Sequence, residues 1–350
     1  MNKKNNKDAC FIIAEAGVNH NGSLDLALKL IDEAAKAGAD AVKFQSFKAE
    51  QLVSKFAKTA EYQRRNTGLG DQFFMLKKLE MSDQFHQQLF RHCKAQNIEF
   101  MSTPFDSKIA QYLVNCGMDK LKIPSGELTN LPLIQSLCAL NKPIILSTGM
   151  ASMDEVCEAV ATIKAERSKL SLKGEISKFL TILHCTSNYP AQNEEVNLKA
   201  MNTMARLLDL PVGYSDHTDG LLVSVAAVAM GAKVIEKHFT LDRRMDGPDH
   251  KASLEPDQLA EMIRQIREVE LCLGDGEKKP QPNEIPVRRL VRRSVTLTRP
   301  VIKGHVLTED DLVLLRPGTG IAPADMDKVV GRVVSRTIGK PVTLCWEDLV

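Results

Sequence analysis

LPVGYSDHTDGLLVSVAAVAMGAKVIEKHFT (210–240) contains a whole strand–helix–strand unit. LPVGYSDHT (210–218) begins apolar and ends polar. LLVSVAAVAMGA (221–232) repeats its apolar residues at three and four positions, as a helix packing one face requires. KVIEKHFT (233–240) returns to the first pattern. Two β-rich runs joined by a helix read as parallel strands with a crossover connection.

Outward from that unit the pattern recurs. The other runs are FIIAEAG (11–17), AVKFQSF (41–47), IEFMSTPF (98–105), KLKIPSGE (120–127), PIILSTG (143–149) and TILHCTS (181–187). Amphipathic stretches such as LDLALKLIDEAAKAG (24–38) and MDEVCEAVATIKAE (153–166) lie between them. Eight units in about 265 residues predict an α/β fold, a (β/α)8 TIM barrel. An open doubly wound sheet competes, but the first turn reads GVNHNG (17–22), not G-x-G-x-x-G.

Almost every run ends in residues able to do chemistry. These are Glu15, Lys43 with Gln45, Ser102 with Thr103, then Lys122, Ser125 and Glu127. Ser147 with Thr148, Thr186 with Ser187, Ser215 with His217, and Glu236 with His238 follow. In a barrel all carboxyl-terminal strand ends converge on one face, where such enzymes do catalysis.

The 350 residues suggest two domains. We expect a barrel over 1–273, a linker over 274–290 and a small all-β domain over 291–350. The linker, GDGEKKPQPNEIPVRR (274–289), is rich in Gly, Pro and charge and lacks periodicity. Arg288, Arg289, Arg292 and Arg293 read as solvated linker rather than as a nucleic-acid surface. The β module is marginal alone by surface-to-volume scaling. No internal repeat or low-complexity tract is evident in the chain.

Hydrophobic residues at 43% and charged residues at 26% exclude a disordered chain. A net charge of +2 gives no global field for nucleic acid or an anionic membrane. No apolar run approaches the roughly 18 residues of a membrane span, and MNKKNNKDAC (1–10) lacks a signal-peptide core. Eight dispersed cysteines with no C-x-x-C read as free thiols, so a cytoplasmic location is expected.

Three constellations carry chemistry. His217 and His238 end consecutive strands about 4.8 Å apart, so both imidazoles can share one divalent ion with positions open for water and substrate. Asp249 and His250, in GPDHK, are expected to add a ligand or a substrate contact. Lys43 and Lys122, beside hydroxyls, suit a phosphate or carboxylate; either could instead form a Schiff base. Glu15 and Glu127 are candidates for proton transfer or for salt bridges to those lysines.

Together these motifs resemble the sialic acid synthase family. The match runs through AEAGVNHNGS (14–23), VKFQSF (42–47), STPFD (102–106), KIPSGE (122–127), ILSTGM (145–150), HCTSNYP (184–190), GYSDHT (213–218), EKHFTLD (236–242) and GPDHK (247–251). KGHVLTEDDLVLLRPGTGI (303–321) resembles that family's antifreeze-like (SAF) domain. The resemblance implies a TIM barrel followed by an antifreeze-like β-clip domain. It implies condensation of phosphoenolpyruvate with an N-acetylated mannosamine-type sugar, giving a nine-carbon 2-keto acid and phosphate by C–O cleavage. The sugar is N-acetylmannosamine or the 6-deoxy diacetamido sugar that leads to legionaminic acid.

By resemblance, His217 and His238 hold the metal, Mn2+ first, with Mg2+ or Co2+ as alternatives. Lys43, Thr103, Lys122, Ser125, Ser147 and Ser215 surround phosphoenolpyruvate, with Gln45 near the metal-side water. Ser187 stands where some members carry Asn, at a phosphoenolpyruvate contact. Glu15, Tyr189 and Asp249 hold the sugar, and Glu127 is a proton-transfer candidate. Arg316 reaches the sugar's N-acetyl group from the partner of a domain-swapped homodimer. Outside that resemblance, the rivals are a Schiff-base barrel aldolase and a non-catalytic carbohydrate- or ice-binding protein.

Overall fold

The structure is a computed structural model that describes residues 9–55, 57, 64 and 71–350. The chain divides into two units, 1–274 and 275–350.

The first unit is built on eight parallel strands. They are β1 (Phe11–Gly17), β2 (Ala41–Ser46), β3 (Glu99–Pro104), β4 (Leu121–Ile123), β5 (Ile144–Ser147), β6 (Leu180–Cys185), β7 (Val212–Asp216) and β8 (Val234–His238). The ladder runs β3-β2-β1-β8-β7-β6-β5-β4, and β3 lies against β4 to close the ring. This is the predicted barrel.

Alternation along the strands sorts the side chains. Inside the ring Ile13, Ala41, Met101, Ile145, Leu183 and Val234 form a small apolar plug. Two residues further along, the same face carries Glu15, Lys43, Thr103, Ser147 and Glu236, because side chains of one strand face repeat every second residue. The floor of the site is therefore dry and its upper layer polar. The opposite strand faces, with Ile12, Ala14, Val42, Phe44, Leu146, Ile182 and Tyr214, pack on the helices. Each fully buried aliphatic side chain there contributes roughly 1.5–3 kcal/mol.

Local signals place the helices. Ser23 accepts from the Leu26 amide and caps helix Leu24–Ala37, which Gly38 ends at φ +90. Only glycine takes that left-handed conformation without a Cβ penalty. Ser152 and Glu155 form a reciprocal capping box at the start of Met153–Lys169. All eight cysteines are free. Among the described residues no helix is long and apolar enough to cross a membrane.

The second unit has a two-stranded antiparallel sheet, β9 (Ser294–Leu297) with β10 (Leu312–Leu315). Its core gathers Val295, Leu297, Val301, Leu307, Leu312, Ile321, Val329, Val334, Ile338 and Leu344. An internal repeat emerges that the sequence reading does not find. Arg299 Nε donates to Asp311 at 2.7 Å, and Arg336 Nε donates to Asp348 at 3.0 Å. Asp311 also accepts the Thr308 amide and Asp348 the Cys345 amide. Val301 and Ile338 exchange both backbone hydrogen bonds across the middle. The letters carry the repeat too: at an offset of 37 residues Arg299, Lys303, Leu307, Asp311, Leu312 and Val313 recur as Arg336, Lys340, Leu344, Asp348, Leu349 and Val350, a signal the sequence reading overlooks.

The stretch expected to be linker also contains a helix, Glu284–Val291. Gly and Pro dominate before it, but Pro286 falls in its first turn, where a missing N–H costs nothing. All its residues are exposed, as are Arg292 and Arg293.

Candidate active site

A cavity of about 400 Å³ opens at the carboxyl-terminal strand ends. Glu15, Lys43, Gln45, Thr103, Lys122, Ser125, Ser147, Ser187, Tyr189, Ser215, His217, His238 and Asp249 all line it. The barrel register explains the convergence. Glu15 is the cross-strand partner of both Lys43 and His238, Gln45 of Thr103, and Ser215 of Glu236.

The floor is a charged network. Lys43 Nζ lies 2.7 Å from Glu15 and 3.6 Å from Glu236, and donates to Thr103 Oγ1 at 3.0 Å. Lys122 Nζ donates to Ser147 Oγ at 2.7 Å and to the Ile123 carbonyl at 3.1 Å, and stands 3.8 Å from Glu236. Ser215 donates to Glu236 at 3.0 Å, and Gln45 to Glu15 at 3.3 Å. All four charged side chains are nearly wholly buried.

Their environments pull the two carboxyls apart. Burial, helped by Glu236 and opposed by Lys43, pushes Glu15 up to about 7. Burial would raise Glu236 too, but Lys122 and Lys43 hold it down at about 2. Burial lowers Lys122. It would lower Lys43 as well, yet Glu15 and Glu236 raise it. Burial alone lifts Asp249 to about 6.

The imidazoles sit on the wall beside this floor. His217 and His238 have ring centroids 5.6 Å apart, with the Tyr189 ring 4.2 Å from His217. His217 Nδ1 lies 2.7 Å from the Thr186 carbonyl. A carbonyl only accepts, so Nδ1 carries the hydrogen and Nε2 keeps its lone pair. His238 Nδ1 is buried without a hydrogen-bond partner, 3.9 Å from Asp249. Burial lowers both histidines, so both stay neutral near pH 7, as metal ligands must. Among the described residues no cluster of three or more such side chains has metal-holding geometry. Two neutral imidazoles with an orphaned buried nitrogen fit an ion that keeps its other positions for water and substrate.

On the β5–β6 side, Ser125 Oγ accepts the Gly149 amide at 2.9 Å and lies 3.1 Å from Cys185 Sγ. A Cβ at Gly149 would stand 2.2 Å from Ser187 Oγ and 2.9 Å from Ser125 Oγ.

Not every sequence candidate of the first unit lines this cavity. Glu127 is not among its lining residues; its carboxylate accepts from Asn130 at 2.7 Å. Arg316 belongs to the second unit, directly after β10. Conversely, Glu236 is central although the sequence reading assigns it no role. Its spacing two before His238 was the available signal, since both must face inward. Val18, Met75, Leu76, Leu79 and Phe105 form an apolar side of the mouth that sequence reasoning also misses.

Comparison with known proteins fits this geometry. Residues 30–278 match the NeuB family and residues 292–350 the SAF domain. The chain is 50% identical over 341 residues to N,N'-diacetyllegionaminic acid synthase of Legionella pneumophila, covering 97% of this chain and 94% of that one. It is 35% identical to human N-acetylneuraminate-9-phosphate synthase over 97% of this chain and 92% of the other. A crystal structure of N-acetylneuraminic acid (sialic acid) synthetase from Leptospira borgpetersenii, in complex with citrate, superposes with a TM-score of 0.70. It is 34% identical and covers 82% of this chain and 94% of that one.

Proposed function

We propose, because this chain belongs to the NeuB family, that it condenses phosphoenolpyruvate with an N-acetylated mannosamine-type sugar and water. The products are a nine-carbon 2-keto acid and phosphate. The observation that carries the reading is the pair Lys43 and Lys122, buried among hydroxyls beside two neutral imidazoles.

Lys122, with Ser147, Ser125 and the neighbouring Ser187 and Ser215, makes an anion cradle for phosphoenolpyruvate. Thr103 and Lys43 extend it. A divalent ion held by His217 and His238, Mn2+ by preference, would polarise the sugar's aldehyde oxygen. The phosphoenolpyruvate methylene carbon forms the new C–C bond to the aldehyde carbon. Water adds its oxygen to the enol carbon, and the C–O bond to phosphate breaks with the bridging oxygen leaving. One water proton ends on the new hydroxyl and the other on phosphate. Glu15 lies inside the cavity and takes the proton-transfer role ahead of Glu127, which does not line it. Tyr189 and Asp249, which line the cavity, would hold the sugar. The lysines stabilise the departing anion. The same proposal includes a domain-swapped homodimer in which Arg316 serves the partner's sugar.

One observation favours a narrower sugar. Val18, Met75, Leu76, Leu79 and Phe105 offer no hydroxyl, amide or charge to a sugar chain. Hydroxyls buried there would go unpaired, so a 6-deoxy diacetamido mannose fits this side better than N-acetylmannosamine.

Phosphate release is the test, run with phosphoenolpyruvate and each sugar. Substrate labelled with 18O at the bridging position should deliver the label to phosphate. No release with either sugar overturns the function. A preference of about 10²-fold for the deoxy sugar supports the narrower reading, and equal kcat/KM values overturn it.

A further inference from the structure

We infer that Asp216 and Lys237 are positioning residues for the two imidazoles, an inference that rests on the metal site proposed above. The cavity faces of β7 and β8 carry Ser215, His217, Glu236 and His238. Asp216 and Lys237 alternate with them and so project to the other face of the sheet. They are cross-strand partners in the β7–β8 register. Their side chains have 0% exposure and meet at 2.9 Å.

Three of the four hydrogen bonds that this pair makes to other residues go to Thr218, the residue after His217. Asp216 Oδ1 accepts the Thr218 amide at 2.9 Å and the Thr218 hydroxyl at 2.7 Å. Asp216 Oδ2 accepts from Ser224 at 2.6 Å, tying β7 to helix Leu222–Ala229. Lys237 Nζ donates to the Thr218 carbonyl at 2.7 Å. His217 is therefore clamped on both flanks, between Asp216 and Thr218. Its ring is held separately by the Thr186 carbonyl. His238 follows directly on Lys237, so one ion pair sets the relative height of both strand ends.

Stability alone does not account for such a pair. Desolvating two charges costs about what their attraction returns, and apolar replacements of similar volume are often neutral or stabilising. What a fully satisfied buried pair does supply is a fixed register. Residues that orient metal ligands through other groups typically change metal affinity about 10–100-fold when removed.

The double variant Asp216→Leu with Lys237→Met tests this on the full-length protein without substrates. The inference expects the variant to fold with a lowered thermal midpoint, because the Thr218 amide, hydroxyl and carbonyl and the Ser224 hydroxyl lose buried partners. It expects a Mn2+ dissociation constant raised at least about 10-fold, and a changed Mn2+ electron paramagnetic resonance spectrum. With substrates, kcat should fall while the KM for phosphoenolpyruvate holds. Ser224→Ala should show a smaller effect, and Ser224→Thr, which keeps the donor, should restore wild-type affinity. A folded double variant with wild-type Mn2+ affinity and spectrum overturns the inference. If the double variant does not fold, Ser224→Ala and Thr218→Val decide it: unchanged Mn2+ affinity in both overturns it. A wild-type protein that binds no Mn2+ overturns the metal reading itself, and this inference with it.

Discussion

Glu236 Oε1 stands 3.8 Å from Lys122 Nζ, and neither side chain is more than 6% exposed. The cation that would meet phosphoenolpyruvate thus already has an anionic neighbour. An incoming carboxylate or phosphate competes with Glu236 for Lys122.

Lys122→Met should raise the KM for phosphoenolpyruvate about 10–100-fold, because a charge-assisted contact of about 1.5–3 kcal/mol is lost. The KM for the sugar should stay within about twofold. Glu236→Gln should move phosphoenolpyruvate affinity the other way, with tighter binding measured by calorimetry. Unchanged values in both variants would place the anion elsewhere.

Chelation should abolish phosphate release, and Mn2+ should restore it in the wild type but not in His217→Ala. Full activity of metal-free His217→Ala protein would sink the two-histidine site.

Gly149→Ala should damage the cradle without unfolding the barrel. The added methyl would press on Ser187 and Ser125, 2.2 and 2.9 Å away. A KM for phosphoenolpyruvate raised about tenfold or more, with unchanged circular dichroism, is the expected result.

His20 links stability to pH. It is fully buried between Phe44 and Phe85 and accepts the Gly22 amide. Burial, with His86, pushes it down to about 4. The unfolded chain therefore binds the proton more readily between about pH 6.5 and 4. Its stabilising effect is complete above that window and lost as pH falls through it, by roughly 3 kcal/mol at most. His250, also lowered to about 4 by burial, acts in the same sense. Asp249, raised to about 6, acts oppositely between about pH 4 and 6. Urea midpoints from pH 7 to 4.5 should fall less steeply in His20→Asn than in the wild type; parallel curves would contradict this.

Arg316→Ala and Lys122→Ala should each be nearly inactive alone. Mixed and re-annealed, they should regain activity, since one intact barrel then meets one intact Arg316. Heterodimers without activity would place the arginine's action within its own chain, or nowhere.

The barrel was legible because its strands and helices differ in period, and LPVGYSDHT shows the switch within a few residues. The polar ends were legible because apolar plug and polar layer alternate on one strand face, as Ile13 and Glu15 do. KLKIPSGE was read too long. Pro124 lacks a ladder donor, so β4 stops at Ile123 and Ser125–Glu127 turns as a 3-10 helix. That turn leaves Ser125 in the cavity and Glu127 outside its lining. The charge balance among Glu15, Lys43, Lys122 and Glu236 depends on distances that no spacing rule supplies. Helix Glu284–Val291 was hidden by the Gly- and Pro-rich residues before it.

Among the described residues, the ladder from β3 around to β4 leaves one junction of the ring without strand-to-strand hydrogen bonds. Near it the Ser102 amide donates to the Met118 thioether at 3.3 Å, a soft acceptor in place of a carbonyl. A cylinder with one unstitched seam opens there first. Amide hydrogen exchange should be fastest, among the eight strands, along β4, the three-residue strand that carries Lys122. The anion cradle thus stands on the least anchored stave of the barrel, and a bound anion that bridges Lys122 of β4 and Thr103 of β3 would also brace the seam.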